Sequence, residues 1–154
     1  MKLDKEILEE KIRDYREFKS CSESTLMGLC ETADYPISQA DMCKLACGFA
    51  GGMGGTFDEG TCGAVTGALM ANGLLNDDIP KIKSNAKEIF NAFKEEYGLS
   101  PINYMISRRI EESRYLLQET DMSMSQIARI LGFSSASYFS QSFRRAEGIS
   151  PIAY

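Results

Sequence analysis

Apolar residues recur at intervals of three and four along nearly the whole chain, and no alternating run of β-branched residues lasts long enough to make a strand. The pattern predicts an all-α fold. A first helix over about residues 4–18 would gather Leu3, Ile7, Leu8, Ile12 and Tyr15 on one face. Ser20 with Glu23, and Ser38 with Asp41, have the spacing at which a hydroxyl and a carboxylate satisfy orphan donors at a helix start, so they predict a second and a third helix. The third runs out into the glycine-rich stretch 48–60, read as loop, and Thr61 then starts a fourth helix. A fifth follows Pro80 and ends at Gly98. Ser100 and Pro101 start a long sixth through about Thr120, with the serine as N-cap and the proline where a missing N–H costs nothing.

The last thirty or so residues are the most legible. Ser123 and Gln126 repeat the capping spacing, Ile127, Ala128 and Leu131 make a short apolar face, and Gly132 offers the left-handed residue that a tight turn wants. Phe133 would pack into that turn, Ser134 or Ser135 would cap the next helix, and Phe139 and Phe143 would anchor it to the previous one. That layout is a helix-turn-helix, although an ordinary helical hairpin shares the pattern.

Charge divides the chain. Residues 1–97 hold 11 Lys or Arg against 17 Asp or Glu, whereas residues 98–154 hold six arginines against five acids. An acidic first part repels phosphate backbones, so any nucleic-acid contact falls to the second. There is no histidine, which excludes Ser-His-Asp and Cys-His catalysis and every histidine-ligated metal site. No stretch approaches the roughly 18 to 20 apolar residues of a membrane span, and Met1 leads into acidic and basic residues and not into a signal segment. These features predict a cytoplasmic, non-enzymatic protein.

All five cysteines precede residue 63, and a reducing compartment would hold them as thiols. Cys62 and Cys21 would sit in the first turns of helices, where unpaired N–H groups and the helix dipole favour a thiolate, although Asp58 and Glu59 oppose this near Cys62. Cys62 is therefore expected to be the most reactive thiol. Small buried apolar residues are the other reading for both positions. Cys43 and Cys47, four apart, would share a helix face; together with Cys21 and Cys62 they could make a four-thiolate zinc or iron–sulfur site, though C-x-x-C spacing is absent. Cys30 is expected in the core. Gly51, Gly52, Gly54 and Gly55 could offer backbone donors to an anion; lacking G-K-[ST] and a preceding strand, close packing or a small-ligand pocket suits them better than nucleotide hydrolysis.

The segment from Leu99 to Tyr154 carries R-I-E-x-x-x-x-L-L, S-x-x-x-I-A, G-F-S-S-x-S-Y-F-S-x-x-F and G-x-S-P, and so closely resembles the C-terminal portion of AraC-type transcriptional regulators. The resemblance implies a linker helix at residues 100–120 and a DNA-binding helix-turn-helix at 123–147, within a domain at 98–154. An internal repeat supports duplication: FKEEYGLSPINY (93–104) and FRRAEGISPIAY (143–154) agree at six positions with an offset of fifty. Carried back by the same offset, Ala128 and Gly132 land on Asp78 and Ile82, so the turn of a first unit is missing and that unit is at best a remnant. With Phe139 and Phe143 inward, Ala136, Ser137, Ser140 and Gln141 would face base edges, and Arg144, Arg145 and the linker's Arg108 would meet phosphates.

Residues 1–97 resemble a second family through CSESTLMGLC, LACGFAGGMGGTFDEGTCGAVTGALMANGLL and AKEIFNAFKEEYG. This is a small helical family, written C-GCAxxG-C-C, to which redox activity is ascribed. The two resemblances together imply a regulator that binds double-stranded DNA as a homodimer and carries a redox or small-ligand sensing module. A small redox-active or ligand-binding protein whose AraC-like tail serves packing or dimerisation remains the alternative.

Overall fold

The computed structural model describes residues 3–51, 53–55 and 61–154. These residues form α1 (Lys5–Arg16), α2 (Cys21–Thr32), α3 (Gln39–Ala46), single 3-10 turns at Cys47–Phe49 and Met53–Gly55, then α4 (Gly63–Leu74), α5 (Ile79–Tyr97), α6 (Pro101–Glu119), α7 (Met124–Ile130) and α8 (Ala136–Glu147). The all-α expectation holds. Among the described residues no helix is long and apolar enough to cross a membrane.

Most helix starts follow from their caps. Ser20 and Glu23 make a reciprocal capping box at α2, and Ser123 and Gln126 make another at α7. Ser38, Ser100 and Ser135 each accept a backbone N–H three residues on. Helices α4 and α5 start without a side-chain capping bond. The fourth starts at Gly63, two residues later than Thr61 suggested, because Cys62 is extended and serves as N-cap, its carbonyl accepting from the Thr66 N–H at 3.0 Å.

Two apolar cores organise these helices. In the first, Leu26, Met27 and Cys30 of α2 meet Met42, Ala46 and Ala71. Here α2 and α4 approach closely because α4 presents glycine: a Cβ on Gly67 would lie 2.5 Å from the Ser22 carbonyl oxygen, and one on Gly63 would lie 3.1 Å from the Ser22 nitrogen. Ser22 is buried, and its hydroxyl donates to the Ala46 carbonyl at 2.9 Å, tying α3 into the same contact. Gly67→Ala should cost about 1–3 kcal/mol, since backbone and not a yielding side chain meets the new methyl. Gly73→Ala, on the same helix with nothing within 4 Å, should gain about 0.5–1 kcal/mol from helix propensity. Denaturant unfolding of the pair measures the difference.

In the second core, Phe139 and Phe143 of α8 are fully buried with Ile127, Ala128, Leu131, Phe133 and Ile110. Ile110 belongs to α6, and Ile106, Leu116 and Leu117 pack against the same cluster, so the long linker helix forms one wall of this unit. The turn between α7 and α8 is made by Gly132 at φ 71°, a left-handed conformation that costs a side-chain-bearing residue roughly 1–2 kcal/mol.

The fifty-residue repeat is also a repeat of packing. Gly98 and Gly148 end α5 and α8 in left-handed conformations. Tyr104 then returns to Phe93 with ring centroids 5.6 Å apart, as Tyr154 returns to Phe143 at 5.2 Å. Upstream the two copies part: Ile82, which corresponds to Gly132, lies inside α5, so that helix runs unbroken where a turn would be.

Candidate nucleic-acid interface and thiols

Helix α8 turns its apolar side wholly inward, leaving Ser137, Gln141 and Arg144 exposed at positions one and two turns apart, with Ser140 half-buried beside them. Ser135 caps the helix, so its first turn is held in place. Ala136 departs from the expectation of an outward residue: it is partly buried against the phenylalanine core, and at most one side of its methyl meets solvent.

The two C-terminal arginines also separate. Arg144 lies on the outer stripe, while Arg145 lines a cleft of about 510 Å³ between α6 and α8, alongside Glu111, Arg114 and Glu147. Arg114 pairs with Glu147 at 2.7 Å, fixing the end of α8 to the linker, and the carboxylate holds the guanidinium above its ordinary range. Arg109 stacks its guanidinium 5.8 Å over the Phe133 ring and so supports the turn from the α6 side. Arg108 is ion-paired to Glu111 on α6, so its charge is already partly compensated.

Three residues escaped the sequence reading. Moving Ser137, Gln141 and Arg144 back by fifty gives Lys87, Asn91 and Lys94, all exposed on α5. The first copy of the repeat thus has no turn at this place but carries a polar, twice basic stripe on α5. The signal lay in the same offset that revealed the repeat, carried along the helix instead of back to the turn.

The cysteines occupy different surroundings. Cys30 is buried, and burial pushes its thiol up from the ordinary range, with nearby Glu31 adding to the effect. Cys21 is the exposed first residue of α2, and Cys62 is the half-buried cap of α4. The two helix starts abut, since a Cβ on Gly63 would lie 3.2 Å from that of Cys21. Cys43 lies on α3 and Cys47 caps its C-terminus, the Cys47 N–H donating to the Cys43 carbonyl before the chain tightens into a 3-10 turn; Cys47 is exposed, while half-buried Cys43 meets Lys19. The Lys19 ammonium donates to the Cys43 sulfur at 3.2 Å, and this contact holds the ammonium above its ordinary range.

Among the described residues, no group of three or more cysteines and carboxylates converges as a metal site, so the four-thiolate zinc or iron–sulfur arrangement is not formed. Gly54 and Gly55 have open space where a Cβ would stand, whereas Gly28, Gly63 and Gly67 are closely packed. Gly51 is an exposed turn residue at φ 61°. Gly52, Asp58 and Glu59 lie outside the described residues.

Comparison with known proteins bears on the C-terminal half. Residues 82–154 match the family model described as a helix-turn-helix domain. The probable transcriptional regulator LumQ of Photobacterium leiognathi is 39% identical over 67 residues, which are 44% of this chain and 27% of that protein. The HTH-type transcriptional regulator ExsA of Pseudomonas aeruginosa is 46% identical over 65 residues, 42% of this chain and 22% of its own. The HTH-type transcriptional activator RhaR of Enterobacter sp. is 28% identical over 91 residues, 59% of this chain and 32% of its own. The chain thus spans about a fifth to a third of the length of these relatives. No solved structure matches it. The family match does not reach the cysteines. Residues 82–154 therefore carry a helix-turn-helix domain similar to those of transcriptional regulators, preceded in this chain by a helical segment that holds all five cysteines.

Proposed function

We propose that this chain is a cytoplasmic DNA-binding transcriptional regulator whose α8 enters the major groove and whose residues before α5 form a sensing module. The observation that carries this reading is the α8 stripe: short hydroxyl and amide side chains at Ser137, Ser140 and Gln141 flanked by the free-standing charge of Arg144, on a helix whose opposite face is locked by two buried phenylalanines. Amides and hydroxyls read base edges, and arginine holds phosphate. The relatives' names support the same direction, being those of transcriptional regulators. The protein acts by binding and not by catalysis.

A single module buries roughly 600 to 1,000 Å² and seldom reaches regulatory affinity alone, so the DNA-bound species is a homodimer that supplies a second half-site. Selection of preferred duplexes from a random pool tests the assignment. Ser137→Ala with Gln141→Ala should relax base preference at two or so positions, by about 1–3 kcal/mol each, while non-specific binding persists. An unaltered preference places the recognition surface elsewhere, and an absence of salt-dependent duplex binding in the parent favours the alternative of a tail that packs or dimerises.

The sensing part of the proposal rests on thiols. Cys62, Cys21 and Cys47 remain its candidates for reaction with an oxidant or electrophile, and the Lys19 contact adds Cys43 on a different footing. Mass-mapped alkylation of the folded chain should find Cys30 slowest by at least about tenfold, because it is fully buried. Lys19→Gln should slow Cys43 several-fold and leave Cys47 unchanged. Uniform labelling of all five would remove the redox reading.

A further inference from the structure

Asn72 of α4, Asn85 of α5 and Asn76 of the loop between them converge beside a cleft of about 560 Å³ that also reaches α2. Its walls are apolar, made chiefly by Leu29, Leu75 and Ile89. Asn72 is buried at 8% exposure, and its amide donates to the Ile82 carbonyl at 2.9 Å in the first turn of α5. Its own side-chain oxygen receives the amides of Asn76 at 3.2 Å and Asn85 at 2.9 Å. That oxygen is then saturated, and Asn85 is left with a second N–H for which the described residues provide no acceptor.

Lys81 lines the same cleft. It stands in the first turn of α5, which holds no acid, although the positive end of a helix dipole disfavours a cation there. Asp77 and Asp78, just before that turn, are not among the lining residues. The lining therefore combines a lysine ammonium and a spare amide donor, one turn apart on α5, with hydrocarbon from Leu29, Leu75 and Ile89.

We propose that this cleft binds a small organic carboxylate with an apolar body, and that its occupant is the effector of the regulator; the second clause rests on the function proposed above. A carboxylate accepts from both Lys81 and Asn85, and a single lysine suits one negative charge better than a phosphate dianion. The volume lies within the range of roughly 300–1,000 Å³ typical of small-molecule sites. Position supplies the coupling: the cleft spans the Asn72 link to Ile82, so a ligand wedged there biases how α4 packs on the helix that leads into the DNA-binding domain.

Octanoate, octan-1-ol and octylammonium provide the test, titrated into the full chain by calorimetry. Octanoate should bind saturably and at least about tenfold more tightly than octan-1-ol, as a charge-assisted hydrogen bond implies, with octylammonium weakest. Lys81→Gln changes an exposed residue and should erase the preference for octanoate while leaving octan-1-ol unaffected. Asn85→Leu should weaken octanoate several-fold, its fold being checked by circular dichroism. Equal binding of acid and alcohol, or a preference untouched by both substitutions, overturns the site. Duplex affinity measured on the same samples separates the two proposals. A chain that takes octanoate selectively without binding DNA refutes the regulator and leaves the site standing. One that binds DNA without any carboxylate preference overturns the site alone.

Discussion

Combined replacement of Arg144, Lys87 and Lys94 by alanine is expected to weaken duplex binding by about 10²- to 10³-fold at moderate salt, and to flatten the dependence of log K on log salt by about 2 to 3 units. The argument is one of counterion release. Each cation that neutralises a phosphate contributes nearly one unit of slope, and all three side chains are exposed with no ion-pair partner among the described residues. They occupy equivalent positions in the two copies of the repeat, Arg144 and Lys94 being related by the fifty-residue offset. Folding stability should hold to within about 0.5 kcal/mol, as is usual for surface positions outside special features. Arg144→Ala alone should remove about one unit of slope. If the triple variant matches this single one, α5 makes no DNA contact and the remnant unit is purely structural. An unchanged slope in both would remove α8 as the interface. Fluorescence anisotropy across a salt series makes the measurement.

Phe139→Ala should abolish DNA binding for a different reason, by unfolding the domain. The ring is fully buried and lies 5.3 Å from Phe133 and 5.9 Å from Phe143, centroid to centroid, so its removal leaves a cavity at the junction of α6, α7 and α8. Such truncations cost about 3–5 kcal/mol, a large share of the roughly 5–15 kcal/mol that holds a domain together. Thermal denaturation should show the lost transition, and Phe139→Leu, which refills most of the space, should recover more than half of the deficit. The outcome that contradicts this picture is a Phe139→Ala protein with parental melting and parental affinity. It would mean that α8 is not anchored through its phenylalanines.

The helix starts and the C-terminal unit were legible in the sequence because their determinants are local. A capping serine acts on an amide three residues away, and Gly132 answers a conformational demand within its own turn, so Ser20, Ser38, Ser100, Ser123 and Ser135 announce their helices without reference to the rest of the chain. The absence of a first turn was equally readable, since Ile82 stands where a glycine would have to be, and α5 indeed runs straight through it. Where the local signal was ambiguous, placement slipped: Cys62 has no side-chain capping bond, and the start of α4 fell two positions beyond the expected residue.

Contacts between residues far apart in sequence were decided by packing alone. Arg144 and Arg145 are neighbours in sequence and both exposed, yet only Arg145 also borders the cleft between α6 and α8 with Glu147. Lys19 and Cys43 are brought together across 24 residues, and Asn85 reaches Asn72 across 13, while glycine at 67 lets α4 settle closely against Ser22. Periodicity fixes which side of a helix is apolar. Only the crossing of one helix on another determines which polar residues at its margin meet a partner and which are left for a ligand.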